Sequence, residues 1–439
     1  MMIFEIFRFI RFIRLILSKR TDRNVSQLIK CTKRCGPLAI KLLQFILMRN
    51  NKLYDKRLEF VFENCDFHSF EETKKMYLED FGKDISGEYD TITEVASGSI
   101  GQVYKCYDGD NVVALKVKHP YINDKVKRFI NVIRIVCYVC RPFNKYHHMI
   151  MEYINNIETQ LDFDAEAKNT ILLKQNWKNE DVLVPEVTYY KNNFICMTYH
   201  EGVNYNELPE QQKIISSLYV TLFFYTSLLV HDFLHGDLHT GNWKLQNDTL
   251  VVYDCGVMCT THNKLFNRYI MEHVFSGRFE KLLYHICDTN VNSKEKNKQN
   301  KRIVNCKKHF TTNEYNSISA GDRLRIFIDK VLEYRLCTNK NTINILNAFA
   351  LIAEICEKSS SVFNRYIGID NMDYEIVIYI YIGILKKINR FHELLQFFQS
   401  WMESDPIHDI VYKNWLMENF GHTKGYILDD IIYKKIKNV

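Results

Sequence analysis

The stretch His235-Gly236-Asp237-Leu238-His239-Thr240-Gly241-Asn242 is followed by the apolar run Leu250-Val251-Val252-Tyr253 and then by Asp254-Cys255-Gly256. An Asp with an Asn five residues later, and a D-x-G behind the next strand, supply what phosphoryl chemistry needs. Asp237 would meet an attacking hydroxyl, and Asn242 and Asp254 would offer hard oxygens to Mg²⁺. An H-x-D or a D-x-G alone is noise; the two in this order and at this distance are not. His235 and His239 also raise zinc, but no third ligand stands at suitable spacing.

Upstream, Asp90–Ala96 and Gln102–Tyr107 alternate as strands around the small-residue turn Ser97-Gly98-Ser99-Ile100-Gly101. A turn at Asp108-Gly109-Asp110-Asn111 leads into a third strand, Val112–Lys118. There Ala114, Lys116 and Lys118 share one face and Val113, Leu115 and Val117 the other. Small residues at Ala96, Ser97, Gly98 and Ser99 let backbone N–H groups approach a polyphosphate, and Lys116 can reach its oxygens. Glu158–Lys174 reads as a helix, and its Glu166 is the carboxylate that would hold Lys116 against the phosphates. His200-Glu201-Gly202 reads as a hinge, and Ile214–Val230 as an apolar helix.

The rest of the composition sets bounds. With 16 Gly and 6 Pro in 439 residues, the chain is poor in breakers, which favours long helices over a many-turned β-sandwich or barrel. The net charge is +6, and residues 1–35 hold nine Lys or Arg against Glu5 and Asp22, so the body is close to neutral. No nucleic-acid-binding face is therefore expected on it. Thirteen scattered Cys read as reduced thiols of an intracellular protein.

In residues 2–17 Glu5, Arg8, Arg11 and Arg14 recur every third position beside a broad Phe/Ile/Leu face. Three central Arg argue against a spanning helix. A helix lying on an anionic membrane through residues 1–20 fits better, with docking on the protein's own body as the rival. A mitochondrial targeting segment ranks third, because Ser and Thr are scarce there. Helical pattern resumes from Val25 to Asn50 with a break at Gly36-Pro37, and Lys41 and Gln44 share a side of the second helix. The Lys- and Asn-rich run from Asn292 to Lys308 reads as a solvated loop.

Taken together, these motifs resemble the UbiB-like (ADCK-type) atypical kinases linked to coenzyme Q biosynthesis. That family carries K-x-G-Q in an N-terminal helical extension, where this chain has Lys41-Leu42-Leu43-Gln44. Its alanine-rich nucleotide loop A-A-A-S-I-G-Q-V corresponds to Ala96–Val103, and V-A-x-K-V to the residues around Lys116. The E-x-D helix is met by Gln160, Asp162 and Glu166, and H-x-D-x-x-x-x-N and D-F-G by Asp237, Asn242 and Asp254. Four positions depart from the pattern: Leu43 for Gly, Gln160 for Glu, Gly98 inside the alanine loop and Cys255 for Phe.

The expected architecture is α+β, a two-lobed protein-kinase-like fold with an N-terminal helical extension and a helix-rich C-lobe. The expected divisions are a basic arm at 1–24, the extension at 25–87, the N-lobe at 88–200 and the C-lobe at 201–439. The resemblance implies an ATP- and Mg²⁺-binding kinase or ATPase serving quinone or lipid metabolism, with a small lipid-like ligand rather than a protein acceptor. It also implies that Lys41, Gln44 and Asp162 gate the substrate side. The alternatives are an aminoglycoside- or choline-kinase-like phosphotransferase and a membrane-associated pseudokinase scaffold. Peripheral membrane attachment is the expected setting.

Overall fold

The alternation read in residues 90–118 becomes β1 (Thr91–Ser97), β2 (Gly101–Asp108) and β3 (Asn111–Lys118), antiparallel neighbours in one sheet. The computed structural model describes residues 2–49, 55, 57–58, 67–139, 154, 157–178, 181–287, 293–312, 315, 318–336, 338, 340–367, 374–403, 414 and 417. They divide into two compact units: 1–172, 185–199 and 255–257 in the first, and 173–184, 200–254 and 258–439 in the second.

The first unit is built on a five-stranded sheet of order β1-β2-β3-β6-β5, completed by β5 (Val187–Lys191) and β6 (Phe194–Thr198). Its two faces meet two separate cores. Tyr104, Cys106, Leu115, Val117, Phe194 and Cys196 bury one face beneath Tyr77 of α4 (Phe70–Phe81). The opposite face, with Ile195 and Met197, joins the larger core made by α1 (Met2–Ile16), α2 (Asp22–Cys35), α3 (Pro37–Arg49) and α5 (Ile122–Val139). This split follows from the period of two: on β3, Leu115 and Val117 point to one core and Ala114 to the other. At Gly101 a Cβ would lie 2.3 Å from the Val117 carbonyl oxygen, so only glycine lets β2 begin this close to β3.

The break expected at Gly36-Pro37 is where α2 ends and α3 begins. The N-terminal segment is a helix, and its broad apolar face is spent on the protein itself: Phe9, Phe12, Ile13, Leu15 and Ile16 are buried in the core shared with α2 and α5. Docking on the body, not a wholly free interfacial face, is the arrangement observed. The outward side keeps Phe4 (77% exposed) and Phe7 (67%) beside the exposed Arg8, Arg11 and Arg14. Leu43, which stands where the family pattern has Gly, is fully buried in this core, so the added side chain is accommodated.

The helix expected over Glu158–Lys174 is interrupted. The chain turns at Leu161, and α6 runs Phe163–Asn176 because the Asp162 carboxylate caps it, accepting from the Ala165 N–H at 2.9 Å.

In the second unit, α7 (Glu210–Thr226) continues through a wider turn, Ser227–His231. The combined stretch Glu210–His231 is, among the described residues, long and apolar enough to cross a membrane, yet 78% of its most apolar window is buried inside the protein. Leu222, Phe223 and Phe224 are fully enclosed, with Phe224 edge-on to Phe349. Around it lie a sheet of order β4-β9-β8 (Val182–Leu183, Thr249–Val252, Trp243–Gln246) and the pair β7 (Leu234–His235) with β10 (Met258–Cys259). Helices follow: α8 (Lys264–Phe275), α9 (Phe279–Ile286), α10 (Ser293–Lys307), α11 (Ala320–Glu333), α12 (Lys340–Ile367), α13 (Tyr374–Ile388) and α14 (His392–Glu403).

The charge-rich run expected to be a loop is thus the helix α10. Its Lys and Gln are good helix formers, and Gln299, Ile303 and Cys306 supply a thin buried stripe at four- and three-residue spacing.

Candidate active site

Lys116 sits in the middle of β3, opposite Val103 on β2 and Ile195 on β6. Its Nζ donates to Glu166 Oε1 at 2.6 Å, with side-chain exposures of 18% and 3%. The pair expected from the sequence is therefore made, largely hidden from water, where its attraction is far stronger than at the surface. The Phe163 ring at the start of α6 lies within 5.3 Å of Lys116 Nζ and 4.8 Å of Lys118 Nζ. One turn beyond Glu166, Asn169 Nδ2 donates to the Cys255 carbonyl at 3.0 Å, tying α6 to the D-C-G segment. Cys255 is fully buried, filling its packing position with a smaller group than Phe.

The small-residue turn is braced from below. Gly98 N–H donates to the Gly101 carbonyl, the His119 backbone N–H donates to the Ile100 carbonyl, and His119 Nε2 lies 2.9 Å from the Gly98 oxygen. A Cβ on Gly98 would meet only the Gly101 oxygen, at 3.6 Å, an ordinary contact. The turn therefore has room for the family's alanine at this place. Ala96 and Ser97 end β1, and Ser99 follows in the turn.

From the extension, Lys41 Nζ donates to Gln160 Oε1 at 2.7 Å. That contact joins the K-x-x-Q helix to the residue standing where the family has the first acid of E-x-D. Asp162 serves as the cap of the Glu166 helix, and the side chain of Gln44 lies outside the described residues.

In the second unit, β7 delivers His235 to the loop that bears Asp237. His235 is fully buried; its Nε2 contacts the Tyr253 carbonyl at 3.2 Å and its Nδ1 accepts from the Asp237 N–H. A carbonyl can only accept, so the proton is on Nε2 and the ring is neutral. Burial keeps it so by lowering its pKa, against the pull of Asp237 and Asp254.

Asn242 is 6% exposed, and its Nδ2 donates to the Asp237 carbonyl at 2.8 Å. With the amide nitrogen held, Oδ1 is the atom left to serve as a ligand. Asp254 takes φ 61°, a left-handed conformation uncommon for non-glycine residues, and Asp237 Oδ2 stands 3.9 Å from His239 Nε2. The donor set at this loop, one amide oxygen and carboxylates, suits Mg²⁺. No group of three His, Cys, Asp or Glu side chains able to hold a metal occurs among the described residues, so a divalent ion here would need oxygens from its nucleotide and from water.

One feature of this loop escaped the sequence reading. Asp232, at φ 50°, accepts from the Thr260 and Thr261 hydroxyls, the Thr261 N–H and Asn267 Nδ2. Burial alone would raise its pKa, but these hydrogen bonds outweigh burial and keep it below the usual carboxylate range. The cluster links the end of α7, the strand after D-C-G and the first turn of α8. Its only sequence signal was His231-Asp232 just before the loop, which spacing alone could not tell from polar residues facing water.

With this geometry in hand, comparison with known proteins is specific. A family model described as the ABC1 atypical kinase-like domain matches residues 61–280. The chain is 28% identical over 224 residues to the probable protein kinase UbiB of Cronobacter sakazakii, covering 46% of this chain and 40% of that protein. It is 26% identical over 254 residues to an uncharacterized aarF domain-containing protein kinase of Arabidopsis thaliana, named as chloroplastic, covering 52% and 47%. It thus spans about half the length of such relatives, or less. A Mycobacterium tuberculosis protein solved with erythromycin is similar at 18% identity and a TM-score of 0.45, over 67% of this chain and 80% of that one, a level that carries no argument. The chain belongs to the ABC1 atypical kinase-like family, which takes in the UbiB and aarF-domain kinases, and it has that family's α+β kinase-like fold.

Proposed function

We propose that this protein binds Mg-ATP and hydrolyses it or passes its γ-phosphoryl group to a small, lipid-like acceptor, in support of quinone or lipid metabolism. The observation that carries the reading is the largely buried pair between Lys116, on the strand behind the small-residue turn, and Glu166 of α6. Lys116, held by Glu166, would take phosphate oxygens, and backbone N–H groups from Ala96 to Ser99 would cradle them. Asn242 and Asp254 would hold Mg²⁺, which supplies neutralisation of the charge that builds on the phosphates. Asp237 would orient the acceptor hydroxyl or a water and accept its proton. His235 supports that role by fixing the Asp237 backbone without carrying charge of its own.

A small acceptor is favoured over a protein by the extension. Lys41 anchors α3 to Gln160, two residues before the Asp162 that caps the helix bearing Glu166, so the extension is tied to the element that positions the lysine partner. We take the K-x-x-Q helix to guard the acceptor side.

The test is Mg²⁺-dependent ATP hydrolysis by the intact chain and by Asp237→Asn, with ATP binding followed in parallel. The reading requires turnover in the wild type and its loss in the variant with binding retained. Binding without turnover in either would favour the pseudokinase scaffold, and rapid transfer to a generic protein acceptor would refute the guarding role.

A further inference from the structure

Behind the small-residue turn, within the first unit, lies a cavity of about 500 Å³ that the proposed chemistry does not use. Among its lining side chains Phe9, Leu38, Ile122 and Val132 are buried and apolar. Those that reach solvent include four cations, Arg8, Arg34, Lys125 and Arg128, against the carboxylates Glu5 and Glu72. Glu72 is already engaged, accepting from Ser69 in the cap of α4. Arg8 donates to the Arg34 carbonyl and Arg128 to that of Asp124, but no ion pair joins any of the four cations to a described carboxylate. Cations gathered in this way repel one another until an anion enters. The volume lies within the roughly 300–1,000 Å³ usual for small-molecule sites.

The same cavity is wired to the turn. His68 and His119 both line it, as does Ser99 of the turn itself. His119 Nε2 faces the Gly98 carbonyl, which can only accept, so His119 Nδ1 must accept in turn. His68 Nδ1, 2.8 Å away, therefore donates to it, and His68 Nε2 accepts from Thr73 Oγ1. Thr73 then accepts from Tyr104 Oη, which is met by Gln102 Nε2. Gln102 also clamps the His68 backbone at both its N–H and its carbonyl. The direction of every bond in this chain is thus set from the Gly98 oxygen backwards.

We infer that this cavity binds a small soluble anion bearing an apolar group, a phosphomonoester or carboxylate of an aromatic ring or short alkyl chain, and that its occupancy reaches the turn through His119. The second half of this inference rests on the reading of Ala96–Ser99 as a nucleotide loop; the first half does not. A concave site of this volume fits a soluble ligand better than a headgroup held in a bilayer.

Phenyl phosphate is the probe, titrated calorimetrically into the full chain and into Arg34→Ser/Arg128→Ser, which alters two exposed residues and leaves Lys116 untouched. The wild type should bind, and the double variant should bind at least tenfold more weakly. Absence of binding, equal binding by the variant, or binding to phosphatidate vesicles without binding of phenyl phosphate would each overturn the site. Saturating phenyl phosphate should change ATP affinity at least threefold in the wild type and leave it unchanged in His119→Ala. Retained phenyl phosphate binding shows that this variant is folded, and His68→Asn is a second cut in the same chain if it is not. Unaltered ATP affinity in the wild type would overturn the coupling. A chain that binds phenyl phosphate but never ATP would refute the nucleotide reading and leave the cavity assignment standing.

Discussion

Replacing Lys116 by Met isolates what the Lys116–Glu166 pair contributes. The substitution keeps the volume and removes the charge, leaving a carboxylate that is 3% exposed with its cation gone. Breaking a buried pair from one side costs about 3–5 kcal/mol, because the remaining charge is uncompensated. Lys116 is 18% exposed, so some water already reaches the pair, and the lower end, about 3 kcal/mol, applies. For a unit of this size that is a fall in Tm of roughly 6–12 °C, at about 2–4 °C per kcal/mol. Removing both charges in Lys116→Met/Glu166→Leu should restore most of the loss, because two apolar groups carry no desolvation penalty. Calorimetry and urea unfolding of the wild type, both single variants and the double variant close a double-mutant cycle. A coupling of about 2–3 kcal/mol is expected. A coupling under about 0.5 kcal/mol, or a Lys116→Met variant with unchanged Tm, would refute the claim that the pair is an interior ion pair, since exposed pairs behave that way.

Asp232→Ala strips four donors of one acceptor and should cost about 2–3 kcal/mol in urea unfolding; an effect below about 0.5 kcal/mol would mean the cluster is ornamental. His68 is pushed down to about 4 by burial and then by His119, so the unfolded chain takes up its proton first as pH falls. Stability should therefore be at its plateau above about pH 6.5 and decline toward about pH 4, by roughly 1–2 kcal/mol once the partial exposure of His68 is discounted. His68→Asn should flatten that slope, and an unchanged slope would contradict the assignment. Lys41→Ala should cost only about 1 kcal/mol of stability yet change ATP turnover, whereas unchanged turnover would detach the extension from the site. Binding to anionic vesicles through Phe4, Phe7, Arg8, Arg11 and Arg14 should be weak and salt-sensitive, and equal binding by Phe4→Ser/Phe7→Ser would exclude that surface.

The sheet and the Lys116–Glu166 pair were legible because both rest on local rules: a period of two, a turn of small residues and a helix carrying one inward acid. Gly101 was visible as a turn residue, although its reason, the Val117 oxygen behind it, needs the third strand in place. Asp162 was singled out from a resemblance, and its capping of α6 appears only when the helix start is known. The charge-rich α10 was missed because three buried positions among many Lys and Asn make a stripe too thin to outweigh the polarity. The face of α1 was legible as apolar, but what covers it depends on how the chain turns into α2 and on α5, which is distant in sequence. The Asp232 cluster and the His68–His119 chain join residues about 30 and 50 positions apart through side-chain hydrogen bonds, which no periodicity encodes.

The most direct test of the central claim is titration of ATP into the intact chain and into Asp254→Ala, with and without Mg²⁺, read by calorimetry and by thermal stabilisation. At an ATP concentration 100 times its Kd, the wild type should gain about 2.7 kcal/mol of stability with Mg²⁺ present, and Asp254→Ala should gain almost none. Equal stabilisation of the two proteins, or none in the wild type, would contradict the assignment of Asn242 and Asp254 as the metal ligands of a nucleotide site.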